Sequence, residues 1–284
     1  MQTKIIKFSD DSFPEQLRHI YNPPEQLHLM GEIPLGPKVA IVGMRKNTPY
    51  GEKVVRELIP ELTKVGIITV SGLAYGIDSL VHKYTLLSGG KTIAVLGAGL
   101  NNVYPTINRK MAEEIVSMGG ALISEYEADE PPLQHHFPER NRIVAGLAQA
   151  VIVIEGAFKS GSLITAKIAL EEGRDVWAVP GRIDLESSKG TNYLIDCGAI
   201  PYLEPNQFLS YYKLSPEDFS TKKIPANLTP KAKTFFEVVH SQDGESIDKY
   251  AVITKLDMSQ VNTIITELEL NNLITNKNGR IYLI

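Results

Sequence analysis

Between Gln134 and Ala166 the chain reads QHHFPERNRIVAGLAQAVIVIEGAFKSGSLITA. One strand-helix repeat here holds Phe137 beside two histidines, Arg140 and Arg142 flanking Asn141, an apolar strand, and the run Lys159, Ser160, Gly161, Ser162 opening a helix. An aromatic ring stacks on any nucleobase for about 1–3 kcal/mol per base. Cations neutralise phosphates, and the free amides of a helix N-terminus receive an anion. The combination suits a flexible polyanion with stackable bases better than a small metabolite. Pro138 fits a first helical position, so Arg140 and Arg142 fall in the first turn of a helix expected over residues 139–147. Cations are disfavoured there by roughly 0.3–1 kcal/mol each, so two of them imply an anion close by. The structural alternative makes Phe137 core and pairs the arginines with Glu139 and Glu155. A serine N-cap at the Lys159–Ser162 loop is compatible with either reading.

A second candidate follows the run KVAIVG, where GMRKNTPYG spans residues 43–51. After Gly43 come Met44 and Arg45, so the G-x-G-x-x-G dinucleotide fingerprint fails. Arg45 is expected to project from a strand end toward phosphate, against the alternative of a surface arginine capping the sheet. Asp78 and His82 are four residues apart and could share a metal, but no third ligand is in sight; capping and packing is the better reading. Ser88–Thr92, SGGKT, resembles a phosphate-binding loop, yet it precedes a strand where that motif must follow one. GAGLNNVYP (97–105) is a second anion-facing loop or a turn. No nucleophile elbow, Cys/His metal spacing or oriented acid–base pair is legible, so no cofactor and no catalytic residue is expected.

These residues must be held by a scaffold, and the rest of the chain supplies one. The 284 residues are 43% hydrophobic, with a net charge of −4. That is ordinary globular composition, long enough for one or two domains. The charge counts mildly against coating nucleic acid non-specifically but allows a local basic groove. The one cysteine, Cys197, permits no disulfide framework and reads as packing within LIDCGAIPYL, which fits a reducing cytoplasm. The first residues lack the apolar core of a signal peptide, and no apolar run reaches the roughly 20 residues of a membrane span.

Apolar runs at 38–43, 67–72, 92–97, 121–126, 150–156, 175–181 and 199–203 alternate with helical patterns. Continuously apolar strands are buried on both faces, so a parallel sheet with helices on both faces is expected, an α/β fold with function beyond the strands' carboxyl ends. Five strands end in glycine, at 43, 72, 97, 156 and 181, which suggests backbone amides facing an anion. Residues 1–37 read as a strap packed on this core, 38–212 as the core, and 213–228 as a linker. Residues 229–284 show three helices and a hairpin, the order of a winged helix. Its third helix, SQVNTIITELELNNL, carries Glu267 and Glu269 and no Lys or Arg, so protein binding or docking on the core is expected rather than groove insertion.

Together, VGMR, SGLAYGID…H, GGKTIAVLGAGLNNVYP, ISEY, HFPERNRIVAGL, KSGSLITAKIALEEGRDVWAVPG and GTNYLIDCGA closely resemble the DNA-processing protein A family, also called Smf, across Lys38–Tyr202. The resemblance implies an extended Rossmann-like domain and a non-enzymatic role. It implies a protein that binds incoming single-stranded DNA in natural transformation, displaces or bypasses single-strand-binding protein, loads RecA recombinase, and acts as a homodimer. It carries phosphate and base contacts onto Arg45, Phe137, Arg140, Arg142 and Lys159. Two departures stand out: Met44 where the family usually has serine, and Gln134 where some members have lysine. The alternative function is a hydrolase of a nucleotide-like metabolite, related to the phosphoribohydrolases. Their P-G-G-x-G-T motif is replaced here by GAFKSGSLIT.

Overall fold

The computed structural model describes residues 3–214, 228–241, 244–254, 256–271, 273–277 and 279–283. The chain divides into two compact units, Met1–Pro216 and Glu217–Ile284. Among the described residues no helix is long and apolar enough to cross a membrane.

The first unit is built on β1 (Lys4–Lys7), α1 (Glu15–Arg18), β2 (Gln26–Gly31), β3 (Lys38–Val42), α2 (Pro49–Lys64), β4 (Ile68–Ser71) and α3 (Ile77–Leu87). It continues through β5 (Thr92–Leu96), α4 (Arg109–Ser117), β6 (Ala121–Ser124), α5 (His136–Gly146), β7 (Ala150–Val153) and α6 (Gly161–Glu171). It closes with β8 (Asp175–Ala178), α7 (Glu186–Asp196), β9 (Ile200–Pro201) and α8 (Pro205–Tyr211). The strands form one sheet in the order β1-β2-β6-β5-β4-β3-β7-β8-β9. From β6 to β9 every pairing is parallel. The pattern of strand burial explains why: β3, β4, β5, β6 and β7 are buried at every residue. Alternate residues feed two cores. Ala40 and Val42 pack with α1, α5, α6 and α7 on one face, while Val39 and Ile41 pack with α2, α3 and α8 on the other.

The segment before Lys38 does more than lie on the core. Its β2 pairs antiparallel with β6, and β1 pairs antiparallel with β2, so it lengthens the sheet by two strands. Gln26–Gly31 takes that place because Leu27 and Leu29 are buried while the strand supplies a ladder to the β6 edge.

The strand-end glycines are required by close packing rather than by an unusual backbone conformation. None of Gly43, Gly72, Gly97, Gly156 and Gly181 has a positive φ. Each is small because a side chain stands where its Cβ would be: Ile77, Arg140, Phe137, Leu163 and Ser188 respectively. Cys197 also departs from expectation. It is exposed at the C-terminus of α7, where the turn leaves the core.

The second unit has α9 (Pro230–Ser241), α10 (Ile247–Thr254), α11 (Met258–Leu270) and the antiparallel pair β10 (Ile274–Lys277) and β11 (Arg280–Leu283). Phe235, Tyr250, Ile264 and Leu268 are in its core. The two acidic residues of α11 are engaged within the unit. Glu267 accepts from the Thr229 N–H at 2.7 Å and hydroxyl at 2.9 Å, and Glu269 accepts from the Asn276 N–H at 2.9 Å. Most of the expected linker, 215–227, lies outside the described residues.

Candidate nucleic-acid interface

The strand order reverses at β3. Successive strands run outward from it through β4, β5 and β6, then α5 carries the chain back to β7 on the other side. Such a switch point leaves a crevice beyond the carboxyl ends of the strands. The crevice here has a volume of ≈ 780 Å³ and is lined by residues following β3 (Gly43–Lys46), by Gly72 and Asp78, by Tyr104, by one side of α5, and by the start of α6.

The α5 helix begins at His136, three residues earlier than expected. Proline is tolerated within the first turn because the first four N–H groups have no intrahelical partner, so Pro138 sits inside the helix rather than opening it. Phe137 therefore lies in the first turn, and Arg140 and Arg142 lie one turn deeper. This corrects the expectation of two first-turn cations.

Phe137 is half-buried. Gly97 backs its ring: a Cβ there would lie 3.0 Å from Phe137 Cδ1. The Arg45 guanidinium stands 5.4 Å from the ring centroid, within the range of a cation–π contact. The exposed Tyr104 ring lies 5.7 Å away at 54°. Arg45 and Lys46 are exposed and follow a strand end held by packing: the Ile77 N–H donates to the Met44 carbonyl at 3.1 Å. At the opposite wall Ser160 precedes α6 but its side chain does not cap that helix; its hydroxyl meets the Ser162 hydroxyl at 2.8 Å.

The two α5 arginines both have protein partners. Arg140 is 4% exposed, and its Nη1 donates to the Gly72 carbonyl at 2.8 Å and to the Val95 carbonyl. Its Nε donates to Asn141 Oδ1 at 3.3 Å, and Asn141 donates on to the Gly161 carbonyl at 3.4 Å. Burial lowers the Arg140 pKa, and the nearby Asp78 charge opposes that shift. Asp78 is buried as well and accepts from the Gly72 N–H at 3.2 Å; burial raises its carboxyl above the ordinary range, against the Arg140 charge. Arg142 is ion-paired to Glu125 at 2.5 Å and does not line the crevice. Neither arginine pairs with Glu139 or Glu155. Glu139 accepts from the Tyr126 hydroxyl at 3.1 Å, and Glu155, 2% exposed, accepts from the Thr48 N–H at 2.9 Å and from the Thr48 hydroxyl.

The crevice thus brings together Gly43, Met44, Arg45, Phe137, Arg140, Asn141, Ser160, Gly161 and Ser162 from the expected set. Arg142 and the exposed Lys159 are not in its lining. Lys46 and Tyr104 are in it and were not singled out in the sequence. Tyr104 had one available signal, the aromatic at the end of a loop following a strand in the same sheet. Asp78 and His82 have separate partners, Asp78 on the Gly72 N–H and His82 on Thr92. The His82 Nδ1 meets the Thr92 hydroxyl at 2.8 Å inside a buried threonine network, and burial holds its pKa down to about 3.

The family model described as DNA recombination-mediator protein A matches residues 4–213. The protein Smf of Escherichia coli is 42% identical over 207 residues, 72% of this chain and 55% of that one, so the chain spans about half the length of this relative. The DNA processing protein DprA of Streptococcus pneumoniae is 46% identical over 200 residues, 69% of this chain and 70% of that one. The solved structure of DNA processing protein A from Helicobacter pylori, reported for its single-stranded DNA binding mode, superposes with a TM-score of 0.67 at 32% identity, covering 75% of this chain and 96% of that one.

Proposed function

The chain belongs to the DNA recombination-mediator protein A family, and from that membership we infer that it binds single-stranded DNA in the switch-point crevice and loads RecA recombinase onto it. The observation that carries this reading is the Arg45–Phe137 pair at the rim, with the uncapped start of α6 across the crevice. A ring that accepts bases of any identity beside a cation that follows the backbone favours single strands with weak sequence preference. Gly43, Met44, Phe137, Asn141, Ser160, Gly161 and Ser162 form the contact surface, with Arg45 as the principal phosphate ligand and Lys46 beside it. Lys159 contributes from outside the crevice, where a strand leaving it would pass.

The role is mediation rather than catalysis, in natural transformation or ordinary recombination. The strand is taken over from, or shielded beside, single-strand-binding protein. The working form is a homodimer joined at the edge near residues 192–203, and the second unit is a winged helix that binds protein.

Fluorescence anisotropy with a labelled oligothymidine of a few tens of nucleotides tests this, competed with duplex over a salt series. The expected result is single-strand preference that weakens with salt, with a log–log slope near −2 for about three neutralised phosphates, at Arg45, Lys46 and Lys159. Equal binding of duplex, or none at low salt, rejects it. RecA loading is then measured as RecA ATPase activity on strands precoated with single-strand-binding protein, with and without this chain.

A further inference from the structure

The placement of Arg140 bears on how the crevice keeps its shape. Its guanidinium is buried among backbone carbonyls, and Gly72 is the residue that makes room for it: a Cβ on Gly72 would come 2.5 Å from Arg140 Nη2 and 2.7 Å from Asp78 Oδ2. The Gly72 peptide is held from both sides, its N–H by Asp78 and its carbonyl by Arg140. The same guanidinium holds the Val95 carbonyl, two residues before Gly97 on the next strand end. Gly97 in turn backs the ring of Phe137, three residues before Arg140 on α5.

These contacts form a two-point attachment. Three residues of helix rise about 4.5 Å and two of strand about 6.6 Å. Arg140 on Val95 and Phe137 on Gly97 thus lie within about one helical turn and one strand pleat of each other. Core packing of Ile143 and Val144 holds the body of α5, and these two points hold its first turn against the strand ends. Burying a guanidinium is costly unless it finds partners, and here Nη1 is met by the Gly72 carbonyl just past β4 and the Val95 carbonyl of β5, and Nε by Asn141 Oδ1.

We propose that Arg140 is a positioning residue of the nucleic-acid site: by clamping the ends of β4 and β5 it fixes Phe137 against Gly97, in the orientation that accepts a base, and it makes no phosphate contact of its own. The proposal rests on the single-stranded DNA reading above and assigns this arginine a different part in it from Arg45. It also assigns Gly97 a function, as the other anchor.

The test uses the full chain in the oligothymidine salt series. Arg140→Gln removes the clamp and the charge. Gly97→Val displaces the ring from the other anchor and touches no charge. Each is measured alone and combined with Phe137→Ala, with folding checked by thermal melting. Both single variants are expected to lose affinity by a factor near that of Phe137→Ala, about five- to a hundredfold from the strength of base stacking. Both are expected to keep the wild-type salt slope, and neither is expected to lose anything further in the Phe137→Ala background. A slope shallower by about 0.7 for Arg140→Gln identifies a direct phosphate ligand and overturns the proposal. Losses that add to that of Phe137→Ala overturn it as well, since general destabilisation is independent of the ring. If Arg140→Gln does not fold, Gly97→Val decides by the same criteria. A wild-type chain that does not bind the strand removes the reading underneath, and the proposal with it. Wild-type binding with additive losses removes the proposal alone.

Discussion

The Arg45 guanidinium lies 5.4 Å from the centre of the Phe137 ring, on a ring that Gly97 already backs. The aromatic is thus backed by the fold and stands beside the chain's own cation. A base that stacks on Phe137 must share the ring with Arg45 or displace it toward a phosphate. The two residues then contribute separable quantities. Arg45→Ala is expected to make the salt slope shallower by about 0.7 and to weaken binding most at low salt. Phe137→Ala is expected to weaken binding about five- to a hundredfold at every salt concentration with the slope unchanged. A slope change on Phe137→Ala in the anisotropy series contradicts this division.

Tyr104 lines the same crevice, 42% exposed, with its ring 5.7 Å from Phe137. The 54° tilt between the rings is an edge-type contact rather than a closed stack, so Tyr104 is open to a second base. Tyr104→Ala is expected to weaken oligothymidine binding by about five- to tenfold, less than Phe137→Ala, and Tyr104→Phe to restore it. Equal affinity of Tyr104→Ala and the unsubstituted chain shows that the ring is packing alone.

Glu155 closes the end of β7 against the start of α2. Its carboxylate takes both the N–H and the hydroxyl of Thr48, the residue preceding that helix, and Gly51 leaves it the space. Glu155→Ala leaves the part-buried Thr48 N–H and hydroxyl without their partner and costs about 2 kcal/mol. The first unit is expected to melt roughly 4–8 °C lower by calorimetry. Because Glu155 is structural, strand affinity at 20 °C is expected to be unchanged.

His82 makes stability fall with acid. Its folded pKa of about 3 lies below the ordinary 6.5, so the native ring is neutral. Its contribution is complete above pH 6.5. It shrinks as the unfolded chain takes up a proton, by up to about 1.4 kcal/mol per pH unit, until the native ring itself protonates. Asp78, with its carboxyl pKa raised, runs the other way, its contribution greatest below the ordinary value of 3.8 and lost as pH rises through the folded pKa. A melting series from pH 7 to 5.5 is expected to show a falling Tm, and His82→Gln a flatter one. A series in His82→Gln as steep as in the unsubstituted chain assigns the acid sensitivity elsewhere.

Much of the scaffold was legible in the sequence because the strands from Lys38 on are predominantly apolar with no regular polar alternation, a pattern that burial on both faces explains. The two strands of Lys4–Lys7 and Gln26–Gly31 were not, since their apolar residues are few and five prolines interrupt the region. The start of α5 was missed because His135, His136 and Phe137 have weak helix preference and Pro138 reads as an opening residue, whereas packing of Phe137 on Gly97 and of His136 on Tyr126, with ring centres 3.8 Å apart, draws the first turn forward. Cys197 has the apolar sequence neighbours of a packing residue, but the turn ending α7 carries it outward.

By itself the sequence determined the alternation of strands and helices, the burial of the sheet, and a basic-aromatic stretch placed at its carboxyl edge. These depend on local pattern and on the period of each element. The tertiary structure decided which cation is free. Arg140 and Arg142 lie two residues apart on one helix and so point about 200° apart. What each meets is set by Gly72, Val95 and Glu125, residues 68, 45 and 17 positions away in the chain. Periodicity gives the direction of a side chain, but only the folded chain supplies the carbonyl or carboxylate waiting there. That is why Arg45, exposed just past the end of β3, faces the crevice with its guanidinium beside Phe137, while the Arg140 guanidinium in the same lining is taken up by the Gly72 and Val95 carbonyls.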